Sequence, residues 1–382
     1  MKSRHTLLAS LLLTSGAFIV PQVAHAESRS YVVNWFHVAT YRQDDDCPTG
    51  LNLAQRPLYV RILNDLGYSG SDIEKVLDGI PDDGGTDARG RQAREIGTYR
   101  GRIDGKEVDV YSHPYSVPDP KIKLAMGKFA NGFNLDGKPA KSLESSVDPE
   151  TGETGIDNQV RRVMGCSVQF HAKLPDRPGY PSNEWDLNRD TAPAWLMTIT
   201  GDDLSKDGDV AITFDRALEP VQRDANGEVM PDVTFRIDPD AHAHSEAHGN
   251  ITGGVLRVAS PFHFQMTQDV NVVADFKMDQ TQLRMTFNSD RSLTGYIGGY
   301  QPWIQVYAQF ATLASGTEIS YGTDLPGMYY ALRKLSDFDP DPRTGENRGI
   351  SATYRMELLP AFTAPRNVNT ASAPASTSSA QK

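Results

Sequence analysis

From Ala194 to about Phe310, apolar and polar residues alternate at every second position, and this pattern restricts the fold more than any other feature of the chain. Val210, Ile212 and Phe214 interleave with Asp209, Ala211 and Thr213; Phe262, Phe264 and Met266 interleave with His263, Gln265 and Thr267. A period of two sends successive side chains to opposite faces of a strand, so each segment has one dry face and one wet face. The spacing predicts strands over 196–200, 209–214, 233–237, 256–260, 262–266, 270–278, 283–287 and 303–310, with turns at Lys206-Asp207-Gly208, Asn226-Gly227 and Gly253-Gly254. Short antiparallel strands at this spacing indicate a mainly β fold. The expected architecture is an antiparallel β-sandwich or barrel-like core with a few short peripheral α-helices, and an α+β arrangement is the minority reading. A late helix is expected over 325–335 and a last strand over 350–359.

The preceding part is less regular. A strand is expected over 31–38 and helices over 51–66, started by Pro57, and 71–77. Asp104-Gly105 marks the turn of a hairpin within 97–112. Further helices are expected over 122–133 and from Asp157 to Met164, and a strand over 166–172. The chain thus divides into a mixed α/β region, 27–193, and a β-rich region with the late helix, 194–362. A Ser, Thr, Ala, Pro and Asn tail, 363–382, lacks the apolar content for a core and is expected to be disordered. Asp148-Pro-Glu-Thr-Gly resembles Asp341-Pro-Arg-Thr-Gly, and turn chemistry explains the likeness better than duplication.

Residues 1–26 have the pattern of a signal peptide: Lys2, Arg4 and His5, an apolar run from Leu7, then Ala24-His25-Ala26. A run of about 14 apolar residues is short for crossing a bilayer, which is the alternative use of such a segment. The expectation is export to the periplasm or the extracellular space, without membrane insertion. The net charge of −11 becomes −13 once Lys2 and Arg4 are removed, and no dense basic cluster remains. A nucleic-acid partner needs a basic face, so none is expected. Cys47 and Cys166 are the only cysteines. In an oxidising compartment a disulfide is the simplest reading, and two free thiols or a catalytic cysteine are the alternatives.

Three stretches carry candidate chemistry. His242, His244 and His248, with Glu246 between them, offer imidazole and carboxylate ligands for zinc or copper. The run HAHSEAH resembles the HxHxDH signature of metallo-β-lactamase-like hydrolases, but the acid is glutamate and one residue separates it from the last histidine. A solvated loop between strands is the competing reading. Asp337, Asp339 and Asp341 alternate as calcium ligands can, although Pro342 and Arg348 stand where an EF-hand needs glycine and glutamate. The stretch 295–303, with Trp185 and Trp195, could stack on sugar rings, or could fill the core. No nucleophile elbow, phosphate-binding loop or dinucleotide fingerprint occurs. The leading functional expectation is a non-catalytic binding or structural protein; the sequence leaves its partner unknown, with a carbohydrate or an envelope protein as the candidates. The alternative is a metal-dependent or carbohydrate-active hydrolytic enzyme.

Overall fold

Strands with one dry face must share an interior, and here they do so by closing on themselves. The computed structural model describes residues 26–41, 43, 45–52, 55–77, 100–138, 146–174, 176–178, 188–267, 275–311 and 324–364. Its strands are β1 (Glu27–Val38), β2 (Arg100–Ile103), β3 (Lys106–Asp109), β4 (Ser146–Val147), β5 (Thr154–Ile156), β6 (Trp195–Gly201), β7 (Gly208–Arg216) and β8 (Val233–Arg236). They continue with β9 (His244–Thr252), β10 (Val255–Val258), β11 (Phe262–Met266), β12 (Phe276–Phe287), β13 (Leu293–Pro302), β14 (Phe338–Pro340) and β15 (Asn347–Ala364). Eight of them pair antiparallel in the order β1-β6-β7-β9-β10-β12-β13-β15, and β15 returns to β1. The fold is a closed eight-stranded up-and-down barrel, the barrel form of the architecture expected from the alternation. β8, β11 and β14 are excursions between consecutive barrel strands, pairing with β15, β12 and β15 respectively.

Eight strands enclose a space that side chains can fill. Tyr31, Val33, Phe36, Trp195, Met197, Ile212, Phe214, Phe276, Met285, Ile297, Tyr354 and Met356 are buried in one cluster. Phe36 lies 5.2 Å from the rings of both Trp195 and Phe276 and stacks on Tyr354 at 4.7 Å. The barrel is therefore packed through its middle and is not a channel. One end carries tight hairpins; Gly253 and Gly254 both have positive φ, as a two-residue turn demands. The helices Gln159–Met164, Trp303–Ala311 and Leu325–Leu335 cover the other end, where Val160, Val306, Phe310, Met328 and Leu332 join the same core.

β1 lies on the N-terminal side of the boundary at 193/194, yet it is a barrel strand flanked by β6 and β15. Residues 39–194 are thus an insertion between the first two barrel strands. The insertion has a small core of its own around Leu58, Tyr59, Ile62, Leu63, Ile73, Leu77 and Val110. The Cys47–Cys166 disulfide, formed as expected, joins two segments within this insertion.

Several local expectations are corrected. Residues 303–310 form a helix, not a strand, because Val306, Tyr307 and Phe310 meet the core at helical spacing. Residues 283–287 continue the strand begun at Phe276, through an irregularity between Asp279 and Gln282 where Gln280 has positive φ; residues 270–274 lie outside the described residues. Residues 122–133 are irregular, not helical, with the Ala125 and Ala130 amides donating to the carbonyls of Arg162 and Val147. The short helix to Met164 is capped by Asn158, whose side chain accepts from the Arg161 amide; Asp157 instead accepts from Leu135 and Asp136. Residues 168–170 form a single 3-10 turn where a strand was expected. β9 and β13 are strands that the alternation did not disclose. The two Asp-Pro-x-Thr-Gly segments are the same hairpin turn. In each, the aspartate amide donates to the residue five along, the glycine amide donates back to the aspartate carbonyl, and the glycine φ is 73° or 75°.

Candidate functional site

The histidine run does not form a loop ahead of the barrel. His242 sits in a 3-10 turn, but His244 begins β9, so His244, Glu246 and His248 project from the outer wall while Ser245, Ala247 and Gly249 face inward. His244 is held at both ring nitrogens: Nδ1 lies 2.7 Å from Asp215 Oδ1 and Nε2 lies 2.8 Å from Glu246 Oε1. Burial opposes its protonation, but the hydrogen bonds to Glu246 and Asp215 outweigh it and raise the pKa. With Asp215 at one ring nitrogen and Glu246 at the other, neither nitrogen of His244 is turned to an open ligand position. His242 is exposed beside Asp240. Among the described residues no three His, Cys, Asp or Glu side chains gather closely enough to hold a metal ion. The donor set therefore does not fit zinc or copper.

The acidic triplet is likewise dispersed. Asp337 accepts from the amide and hydroxyl of Ser351, Asp339 pairs with Arg348, and Asp341 pairs with Arg343. Loss of solvent around the carboxyl raises Asp337 to about 6, although the residue as a whole remains exposed. The three carboxylates turn to separate partners and do not surround a common point.

The aromatic stretch 295–303 belongs to the packed wall. Tyr296 and Tyr300 are buried, as is Trp195 in the barrel core; Trp185 lies outside the described residues. On the outer wall, register sets Arg284 beside Tyr296, Tyr296 beside Arg355 and Arg355 beside His37 across four adjacent strands. The insertion covers this row. Tyr296 donates to Glu150 at 2.7 Å, Arg284 to Asp148 at 2.8 Å, and Tyr41 meets His37 Nε2 at 2.5 Å. Burial pushes His37 down to about 3, so it is neutral. At the edge of the row the guanidinium groups of Arg177 and Arg189 lie over the Trp35 ring at 4.1 and 3.7 Å. The row fastens the insertion to the barrel.

One recess of ligand size lies at the hairpin end of the barrel. The β1–β15 ladder stops at Ser30 and Ala361. Beyond that point β1 continues to Glu27 along β6, while β15 continues to Ala364 along β8. The two strands part, and a cleft of about 730 Å³ opens between them and the turn after β12. Its lining includes Arg29, Tyr31, Asp232, Phe287, Asn288, Arg291 and Phe362. Phe362 is 57% exposed, the most exposed large apolar side chain among the described residues. Ser28, Ser30 and Thr363 line the same cleft, and Ser30 Oγ lies 2.9 Å from Thr198 Oγ1 and 3.1 Å from Thr363 Oγ1. The cleft's cations are compensated: Arg29 is paired with Glu27, and Arg291 grips Asp232 through both terminal nitrogens at 3.0 and 2.7 Å. Sequence reasoning missed Phe362 because it borders the low-complexity tail. The signal was present, since it continues the alternation of Met356, Leu358 and Pro360.

No protein-family model, curated protein or solved structure matches the chain at a significant level. The described molecule is defined by its own features: a closed, packed eight-stranded barrel with a disulfide-bridged insertion between its first two strands. No helix among the described residues is long and apolar enough to cross a membrane.

Proposed function

We propose that this chain is an exported binding protein that takes a neutral saccharide in the rim cleft between β1 and β15. Phe362 carries the reading: an apolar ring left in solvent beside hydroxyls and planar polar groups. Sugar rings present apolar faces to aromatic side chains, and their hydroxyls suit the mixed donors and acceptors of Ser28, Ser30, Asn288, Asp232 and Arg291. A volume of about 730 Å³ falls in the range of small-molecule sites. Because its arginines already have carboxylate partners, the cleft favours an uncharged ligand over an anion.

The carboxylate supply supports binding without turnover. Glycoside hydrolysis uses two carboxyl groups flanking the scissile bond. Among the residues described around this cleft the lining offers Asp232 alone, and it is held by Arg291. Export is supported by the leader pattern of residues 1–26 and by the Cys47–Cys166 bond, which suits an oxidising compartment. N-terminal sequencing of the protein recovered outside the cytoplasm tests export; the expected first residue is Glu27, and retention of residues 1–26 contradicts it. A glycan array followed by calorimetry tests the cleft. Saccharide binding that is lost in Phe362→Ala is expected, and the absence of any glycan ligand overturns the reading.

A further inference from the structure

A second cleft, between the insertion and the barrel wall, differs from the first in its charges. Its volume is about 310 Å³, and its lining includes Phe133, Asn134, Thr151, Glu153, Arg257 and Gln282. Register places Arg257 on β10 directly beside Arg284 on β12. Like charges in facing cross-strand positions repel, and such a pair needs compensation. Arg284 has it: Asp148 lies 2.8 Å away and Glu150 3.7 Å away. Arg257 has no side-chain partner among the described residues. Most other arginines there carry a carboxylate, as at Arg56, Arg61, Arg100, Arg216, Arg236 and Arg348. Glu153, which lines the same cleft, likewise has no side-chain partner among the described residues, Arg257 included.

We infer that this cleft binds a small zwitterion, a free α-amino acid, whose carboxylate meets Arg257 and whose ammonium meets Glu153. A guanidinium presents paired donors that match the two oxygens of a carboxylate, and a carboxylate accepts from an ammonium. Adding a carboxylate at Arg257 also relieves its repulsion with Arg284. The site is separate from the rim cleft in residues and in ligand charge, so neither reading depends on the other.

The full mature chain is titrated by calorimetry with each of the twenty L-amino acids, and in parallel with ethanolamine and 3-hydroxypropionate, which are serine without its carboxylate and without its ammonium. Binding of L-serine or another small amino acid is expected, with about tenfold or greater weakening for each truncated analogue. Arg257→Gln and Glu153→Gln each weaken binding by a similar factor, while Phe362→Ala leaves it unchanged. Both substituted residues are exposed, so the melting temperatures of the variants match that of the parent. Should a variant fail to fold, the analogue series on the unaltered protein decides alone. No binding by any amino acid at millimolar concentration overturns the inference. So does equal binding of 3-hydroxypropionate and serine, which marks a simple anion site, or binding indifferent to both substitutions.

Discussion

Asp46 and Arg161 form an ion pair 2.5 Å apart with side chains only 3% and 1% exposed, one residue from the disulfide at Cys47. Removing one partner of a buried pair leaves the other charge without water or counter-ion, which costs about 3–5 kcal/mol. Asp46→Ala is therefore expected to lower the unfolding free energy by about that much, read by urea denaturation. Asp46→Ala with Arg161→Met removes both charges and recovers most of the loss. A double variant no more stable than the single one contradicts the pairing.

The disulfide joins Cys47 and Cys166, which are 119 positions apart in the sequence. In the chain-entropy account a loop of this length restricts the unfolded chain by about 4–5 kcal/mol. Cys47→Ser with Cys166→Ser, or a reducing agent added to the parent, should lower the melting temperature to the same degree. A reductant-insensitive melting curve in the parent contradicts a formed bond.

His37 and His244 are shifted in opposite directions, and their pH signatures differ accordingly. Burial depresses His37 to about 3. Between about pH 6.5, its unfolded reference, and pH 3, the unfolded chain binds the proton and the folded chain does not, so stability falls as pH falls through that window. His37→Gln keeps an acceptor for the Tyr41 hydroxyl and should flatten this acid limb. An unchanged slope of stability against pH between 6.5 and 4 contradicts a buried neutral His37.

His244 has the reverse sign. Its folded pKa is raised by Glu246 and Asp215 against the opposing effect of burial. Its stabilising contribution is complete below about pH 6.5 and is lost as pH rises through the raised value. His244→Gln should destabilise at pH 5.5 and have little effect at pH 9. A loss of equal size at both pH values would assign His244 a packing role instead.

How much could be read in advance varies with the residues. In β7 and β11 the inward set is Val, Ile, Phe and Met, and alternation identified both strands. β9 alternates as well, but its inward residues Ser245, Ala247 and Gly249 are too small to mark a dry face. β13 was hidden by its glycines, and packing explains them. A Cβ on Gly295 would lie 2.0 Å from the Arg284 carbonyl oxygen, and one on Gly299 2.7 Å from that of Asp279. In 303–310 helical and alternating readings overlapped, and only the barrel end selects the helix. Two cysteines, read beside the leader pattern expected over residues 1–26, admitted one bridge, which is why that pairing was legible. The rim cleft was not, because it arises where β1 and β15 exchange partners, a consequence of topology that no local pattern records.

The central claim, saccharide binding at the rim cleft, is tested most directly by calorimetry of the mature protein with the best glycan from an array, alongside Phe362→Ala. Phe362 is exposed, so its truncation should leave the melting temperature unchanged while weakening binding by about 1–2 kcal/mol, roughly five- to thirtyfold. Unaltered affinity in that variant, or no heat from any glycan with the parent, would contradict the account.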